Sequence, residues 1–438
     1  MQGNKPHLPA AVPEVHLHVA IPAMDEREWL PRTLDCIAQQ RTFHPFTVYL
    51  CINQPDGWWY SADKVEICHH NADLLQWVEA YRTHAPFPIE IIDRSSHGNG
   101  WHGKKHGVGW ARKTLFDHIL SVANSHDLVI SMDADTEFGP DYFESVARSL
   151  TRHPAWVALS VPYYHRLTGD EEKDRAILRY EIYMRHYALN MLTIGSPYSF
   201  TAIGSAIVVR ATSLRKIGGI TPVQSGEDFY LLQKLRKMGE VGSWNEECVY
   251  PAARFSDRVA FGTGPAMMKG AAGNWESYPL YSPASFQKVA DTYQLIDRLY
   301  TEDIDNDFTR FLQAQFKTDD LWGPLRANAR TIEQFRRSFH EKADGLRILQ
   351  FLRQDYPQEL KRELPETNST SILNLLLNST NMEQQNTMLE AQHDSAIEIE
   401  ETLLNCYNAP LDEWTTEDLS RLRDELFRLE MGIRRRMV

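Results

Sequence analysis

The sequence has no run of about 18 consecutive apolar residues, so nothing in it reads as a transmembrane helix. It has no basic excess either. With 46 Lys and Arg against 59 Asp and Glu, the net charge is −13, which argues against a nucleic-acid binder. A small anionic ligand is still admissible, because a local Arg/Lys pocket suffices to hold one. Cysteine is sparse: five residues, with no Cys-x-x-Cys pair, fit buried thiols in a reducing cytoplasm better than a disulfide framework. Cys68-His69-His70 is a poor zinc site, since adjacent residues cannot easily share one ion. The first residues lack a signal-peptide pattern, and no internal repeat or long low-complexity segment occurs.

A chain of 438 residues has room for two or three domains. After a leader at 1–14, residues 15–21 predict a strand ending at Pro22, with helical spacing following at Leu30, Leu34 and Ile37. Residues 46–52 predict a second strand, closed by the turn-rich Asn53-Gln54-Pro55-Asp56-Gly57. A helix over 70–83, a strand over 89–92, a polar loop over 93–105 and a helix through Val108, Ala111, Leu115 and Ile119 come next. The stretch Leu128-Val129-Ile130-Ser131-Met132-Asp133-Ala134-Asp135 opens on an apolar run that reads as a buried strand of four to eight residues and delivers Asp133 and Asp135 at its carboxyl end. Side chains two apart on an extended chain point the same way, so both carboxylates can face one ion. Hard oxygens suit Mg²⁺ or Mn²⁺, and strand termini of α/β sheets are where ligands bind. A pair of surface aspartates in a turn is the alternative, because Asp-x-Asp is a common tripeptide.

Strands alternating with helices imply an α/β fold with a doubly wound, mostly parallel sheet. Further on, 156–161 and 202–210 read as strands and 170–191 as a long helix, with another helix at 231–238 after Gly226-Glu227-Asp228. Past residue 285 strand signals fade, and 286–300, 331–355, 383–407 and 415–436 favour helix. The expected division is a catalytic domain at 15–282, in halves 15–140 and 141–282, followed by an all-helical C-terminal extension at 283–438. Leu419, Leu422, Leu426, Leu429 and Ile433 form an a/d-type seam, with Arg434-Arg435-Arg436 at its end.

Four stretches, in order, resemble the family 2 glycosyltransferases of the GT-A fold: Ile21-Pro22-Ala23-Met24-Asp25-Glu26, Gly107-Val108-Gly109-Trp110-Ala111-Arg112, Asp133-Ala134-Asp135 and Gly226-Glu227-Asp228. The resemblance covers about residues 15–265. Departures are Asn53, where the family has a base-contacting Asp, and Met24-Asp25, where it has Tyr-Asn. The Gln-x-x-Arg-Trp motif of processive synthases is absent, and Arg254-Phe255-Ser256-Asp257-Arg258 stands in that region.

The resemblance implies a non-processive, soluble, metal-dependent, inverting enzyme. It would move sugar from a nucleotide diphosphate sugar to a carbohydrate or lipid-linked acceptor. Asp135 would be the direct ligand of Mn²⁺ or Mg²⁺, with Asp133 beside it in the metal site, toward the ribose or a metal-bound water. Asp228 would be the catalytic base and Glu227 an acceptor-hydroxyl contact. Pro22, Asp25, Glu26 and Asn53 would line the nucleotide pocket, Asp93 and Lys104 would join it from the 93–105 loop, and Arg254 and Arg258 would add charge to the diphosphate.

Each assignment has a plainer counterpart. Glu26, Glu227 and Asp228 suit helix N-termini, Asn53 suits a turn, and the loop and Arg254–Asp257–Arg258 charges suit solvent. Trp58, Trp59, Trp101 and Trp275 can stack on a base or sugar, or sit in a core. The C-terminal seam suits a homodimer, a cap on the catalytic domain or a partner, and its arginines suit an anionic membrane surface at the inner face or a solvated helix end. Two rivals have weaker support. A sugar-phosphate nucleotidyltransferase needs a glycine-rich loop after the first strand, and Pro22 to Glu26 contains no glycine. The other is a degenerate, non-catalytic scaffold working through its helical tail.

Overall fold

The computed structural model describes residues 15–224, 226–257, 262–359 and 385–438, without the side chains of 357–359 and 385–395. It begins with β1 (Leu17–Ala23), α1 (Leu30–Ala38), β2 (Phe46–Asn53), a 3-10 turn at Asp56–Tyr60, α2 (Val65–Tyr81) and β3 (Ile89–Arg94). Then come α3 (Val108–Val122), β4 (Leu128–Ser131), β5 (Thr136–Phe138), α4 (Tyr142–Arg152), β6 (Trp156–Ser160), α5 (Glu171–Thr193) and β7 (Ile207–Arg210). Two compact bodies result: one of Met1–Val161, Gly204–Val223 and Asn245–Val249, the other of Pro162–Ile203, Gln224–Trp244 and Tyr250–Val438.

In the first body the strand order is β3-β2-β1-β4-β7-β6. β1 is parallel to β2, from Leu17 opposite Phe46 to Ala23 opposite Ile52, and parallel to β4, from Leu17 opposite Leu128 to Ala20 opposite Ser131. β3 is parallel to β2, whereas β7 runs antiparallel to both β4 and β6. Parallel strands need crossovers, and the helices that make them cover the sheet faces, so the strands must be apolar on both sides. β1 is buried at every position and β2 at all but its first.

Two sequence expectations shift here. The strand expected over 202–210 is only β7, and Gly204 ahead of it lies against the Arg112 guanidinium, where a Cβ would sit 2.6 Å from Nη2. β4 stops at Ser131, so Asp133 and Asp135 occupy the turn before β5 and not an extended strand.

The second body is largely helical. α5 starts at Asp170, whose side chain accepts from the Lys173 N–H. It is followed by α6 (Ala211–Lys216, in the first body), α7 (Glu227–Met238), α8 (Thr263–Ala271), α9 (Pro283–Gln294), α10 (Ile296–Leu299), α11 (Asp307–Phe316), α12 (Gly323–Asn328), α13 (Ile332–Lys342), α14 (Gly345–Glu359), α15 (Gln385–Asn408) and α16 (Thr416–Arg436). An aromatic core gathers Phe286, Phe308, Trp322, Phe335 and Phe339. The seam Leu419, Leu422, Leu426 and Leu429 packs on Leu178, Ile182 and Leu189 of α5, so it is filled within the chain. Arg434 is buried there as well. Among the described residues no helix is long and apolar enough to cross a membrane.

Candidate functional site

The strand order turns at one point: β1 leads outward to β2 and β3 on one side, and β4 lies on the other. The carboxyl ends of the neighbouring strands β1 and β4 meet at that point, the usual ligand position in such sheets. Asp25 and Glu26 leave β1 on one side, and Asp133 and Asp135 leave β4 on the other.

Pro22, opposite Cys51 of β2, closes β1. Asp25 has φ +58°, a left-handed conformation that a non-glycine residue adopts only when its surroundings impose it. They do so from α2. The Asp25 N–H donates to Asn71 Oδ1 at 2.8 Å, and His70 Nδ1 lies 2.8 Å from the Asp25 carboxylate. Asn71 in turn donates to Gln54 Oε1 at 2.7 Å, and both of those side chains are fully buried. Glu26 is buried, and its carbonyl accepts from the Trp29 and Leu30 N–H groups at the start of α1.

The Asp133-Ala134-Asp135 turn is fixed from two directions. Thr33 Oγ1 of α1 lies 2.9 Å from the Ala134 carbonyl and 3.1 Å from that of Thr136. From α3, Arg112 Nη2 donates to Asp133 Oδ1. Arg112 is 2 % exposed, while the Asp133 side chain is 34 % exposed, so the ion pair reaches from the interior to the surface. The glycine pattern before Arg112 has physical reasons: Gly107 caps α3 at φ +98°, and a Cβ on Gly109 would meet the Val223 carbonyl oxygen at 2.0 Å. Arg112 is the site residue to which the motif alone assigned no role.

Asn53 and Asp93 stand at the ends of β2 and β3, each hydrogen-bonded inside the protein. Asn53 Nδ2 donates to the Ala23 and Cys51 carbonyls, and its oxygen accepts from Trp101 Nε1 at 3.2 Å. Asp93 accepts from the Ser95 and Ser96 N–H groups at 2.8 and 2.9 Å, and from Asn99 at 2.9 Å. Burial alone would raise its pKa, but the hydrogen bonds from Ser96, Asn99 and Ser95 outweigh burial and bring it to about 2. Lys104 is exposed.

The remaining assigned residues belong to the second body. Gly226, at φ +79°, caps α7, whose first residues are Glu227, buried, and Asp228, half-buried. Arg254 is half-buried, and Arg258 lies outside the described residues.

Among the described residues no three His, Cys, Asp or Glu side chains gather into a metal cage. Mg²⁺-type ions at phosphate sites are normally held by one or two carboxylates, with phosphate and water completing the shell. Asp133 and Asp135 therefore fit such an ion by donor chemistry.

No family model matches the chain, and no curated protein matches it. Among solved structures it is similar to residues 1–349 of TarS from S. aureus in complex with UDP-GlcNAc, at TM-score 0.39 and 13% identity over 79% of this chain and 92% of that one. It is also similar to the mannosyltransferase PcManGT from Pyrobaculum calidifontis with GDP-Man and Mn²⁺, at TM-score 0.36 and 14% identity over 95% and 86%. A third is GalNAc-T7 with UDP, GalNAc and Mn²⁺, at TM-score 0.35 and 10% identity over 75% and 57%.

Proposed function

We propose that the chain is a metal-dependent, inverting, non-processive glycosyltransferase that moves a sugar from a nucleotide diphosphate sugar to an acceptor hydroxyl. The observation that supports this reading is the Asp133-Ala134-Asp135 turn on β4 beside Asp25-Glu26 on β1, at the switch point of the sheet.

In this reading Asp135 holds Mn²⁺ or Mg²⁺. A bound divalent ion would offset the charge of the departing diphosphate. Arg112 orients Asp133, which faces the ribose, and Pro22, Asp25 and Glu26 line the nucleotide pocket. Asn53 and Asp93 shape that pocket, while Lys104, Arg254 and Arg258 supply positive charge toward the diphosphate. Asp228, at the head of α7, takes the proton from the acceptor hydroxyl. The new bond to the anomeric carbon forms as the bond to the phosphate oxygen breaks, on the opposite face, so configuration inverts. Glu227 holds an acceptor hydroxyl, and the acceptor is a carbohydrate or a lipid-linked sugar on the cytoplasmic side.

Thermal unfolding tests the reading. UDP and GDP are the first probes, and each should raise Tm only when Mn²⁺ or Mg²⁺ is present. The absence of a shift with every common nucleotide would overturn it.

A further inference from the structure

At the ends of β2 and β3, the side chains that would read the edge of a base are already engaged. Asn53 gives its amide hydrogens to Ala23 O at 3.0 Å and Cys51 O at 3.3 Å, and its oxygen accepts from the Trp101 ring N–H. Asp93 Oδ1 accepts from Ser95 N, Ser95 Oγ and Ser96 N, and its Oδ2 accepts from Asn99. A carboxamide has two donor hydrogens and a carboxylate about four acceptor positions, so little capacity is left for a ligand.

What stands beside them is an aromatic face. The half-buried Trp101 is anchored by its N–H to Gln54 O at 2.9 Å, by its carbonyl from Asp56 N at 2.9 Å, and by its ring N–H to Asn53 at 3.2 Å. The Asn53 link ties the indole to Ala23, the last residue of β1, and so to the carboxyl end of that strand. Arg94 lies over the ring, 5.2 Å from its centroid. The backbone bonds hold the segment, while the ring N–H bond to Asn53 and the Arg94 guanidinium over one face restrict the indole itself, which favours stacking on the opposite face. Every base presents a π-face, so stacking tolerates base identity.

We propose that Trp101 is the nucleobase platform of this chain, and that the base is bound by stacking and not by edge hydrogen bonds. This rests on the nucleotide-sugar reading above. UDP and GDP then bind within about tenfold of each other. A role limited to holding Asn53 makes a different demand: it needs the ring N–H, which phenylalanine lacks, and has no use for a π-face.

Calorimetric titration of the full chain with UDP and GDP in Mn²⁺ separates the two. Trp101→Phe should bind both within a few-fold of wild type, and Trp101→Leu should weaken both by about tenfold to a hundredfold. The ligand-free Tm of each variant establishes that it folds. Equal binding by the Phe and Leu variants overturns the platform, as does a wild-type preference for one base beyond about a hundredfold. If the wild type binds no nucleoside diphosphate, the glycosyltransferase reading itself fails, which is a separate result from a wild type that binds while Trp101→Leu binds equally well.

Discussion

Arg112, almost wholly buried, donates to Asp133, whose carboxylate is partly exposed. Asp133 is therefore part of the protein's own charge balance. Removing Asp133 takes a carboxylate away from a buried guanidinium, and breaking such pairs is costly. Asp133→Ala should lose on the order of 2 kcal/mol of stability in urea unfolding, below the fully buried case because Asp133 is partly solvated. Asp135→Ala should lose the metal-dependent Tm shift with UDP. An Asp133→Ala loss below about 0.5 kcal/mol would contradict a structural weight for the Arg112–Asp133 pair.

The glycines around Arg112 give a graded test. At Gly204 a Cβ would sit 2.6 Å from Arg112 Nη2, the end of a side chain with limited room to yield, and Gly204→Ala should cost about 1–2 kcal/mol. At Gly109 the obstacle is the Val223 backbone oxygen at 2.0 Å, which moves only if the segment ending at Val223 moves. Gly109→Ala should cost about 3 kcal/mol or more. Midpoints in urea would rank the two, and the reverse order would show that Arg112 is the more rigid neighbour.

Asp93 predicts an acid-side signature. Its folded pKa of about 2 lies below the ordinary value of 3.8. A depressed carboxylate contributes stability that is complete above the unfolded pKa and is lost as pH falls through the folded one. After a discount for partial solvent exposure the contribution is about 1 kcal/mol at pH 7. Asp93→Asn should show that deficit in urea unfolding at pH 7 and approach wild type near pH 2. A deficit independent of pH would assign the effect to hydrogen-bond geometry and not to charge.

The sheet was legible in the sequence because strands buried on both faces read as apolar runs, and β1 and β2 lie within a residue or two of the expected positions. The location of Asp133 and Asp135 after β4 was legible for the same reason. Their setting in a turn was not, because the apolar run does not show where ladder hydrogen bonds end. Nor did local spacing reveal the Arg112–Asp133 pair, which joins a helix to the turn after the next strand. Asn53 looked like a ligand contact because its amide is versatile. Only the packed structure shows that Ala23, Cys51 and Trp101 engage it. The leucine seam announced an apolar stripe, but periodicity is silent on which surface covers it.

The proposed base can be tested apart from donor binding. Asp228→Asn keeps shape and removes the proton acceptor, so transfer should fall by about 10²–10⁴ while UDP binding in Mn²⁺ remains within a few-fold of wild type. Product formation from a nucleotide sugar, read beside calorimetric titration, distinguishes these effects. An Asp228→Asn protein with wild-type turnover would remove Asp228 from the mechanism.

The final helix carries a buried network of charged groups. Glu430, 1 % exposed, accepts from Arg185 Nη1 at 2.8 Å and from Arg434 Nε at 2.9 Å, and Arg434 also donates to the Ser199 carbonyl at 2.6 Å. Glu181, equally buried, accepts from Arg185 and His165. Burial would raise the Glu181 pKa, but Arg185 and then His165 outweigh it and hold it at about 2. Two carboxylates thus hold charged arginines of α5 and α16 inside the second body, beneath the leucine seam. Glu430→Ala leaves Arg185 and Arg434 buried with one carboxylate fewer and should cost about 3–5 kcal/mol. Arg435, exposed at the same helix end with its guanidinium 5.9 Å from the Trp244 ring centroid, should change stability by no more than about 1 kcal/mol when replaced by alanine. Urea unfolding of the two variants reads the contrast. A Glu430→Ala loss below about 1 kcal/mol would mean that water or a neighbouring carbonyl takes over the arginines, and that the leucine seam alone holds the helix in place.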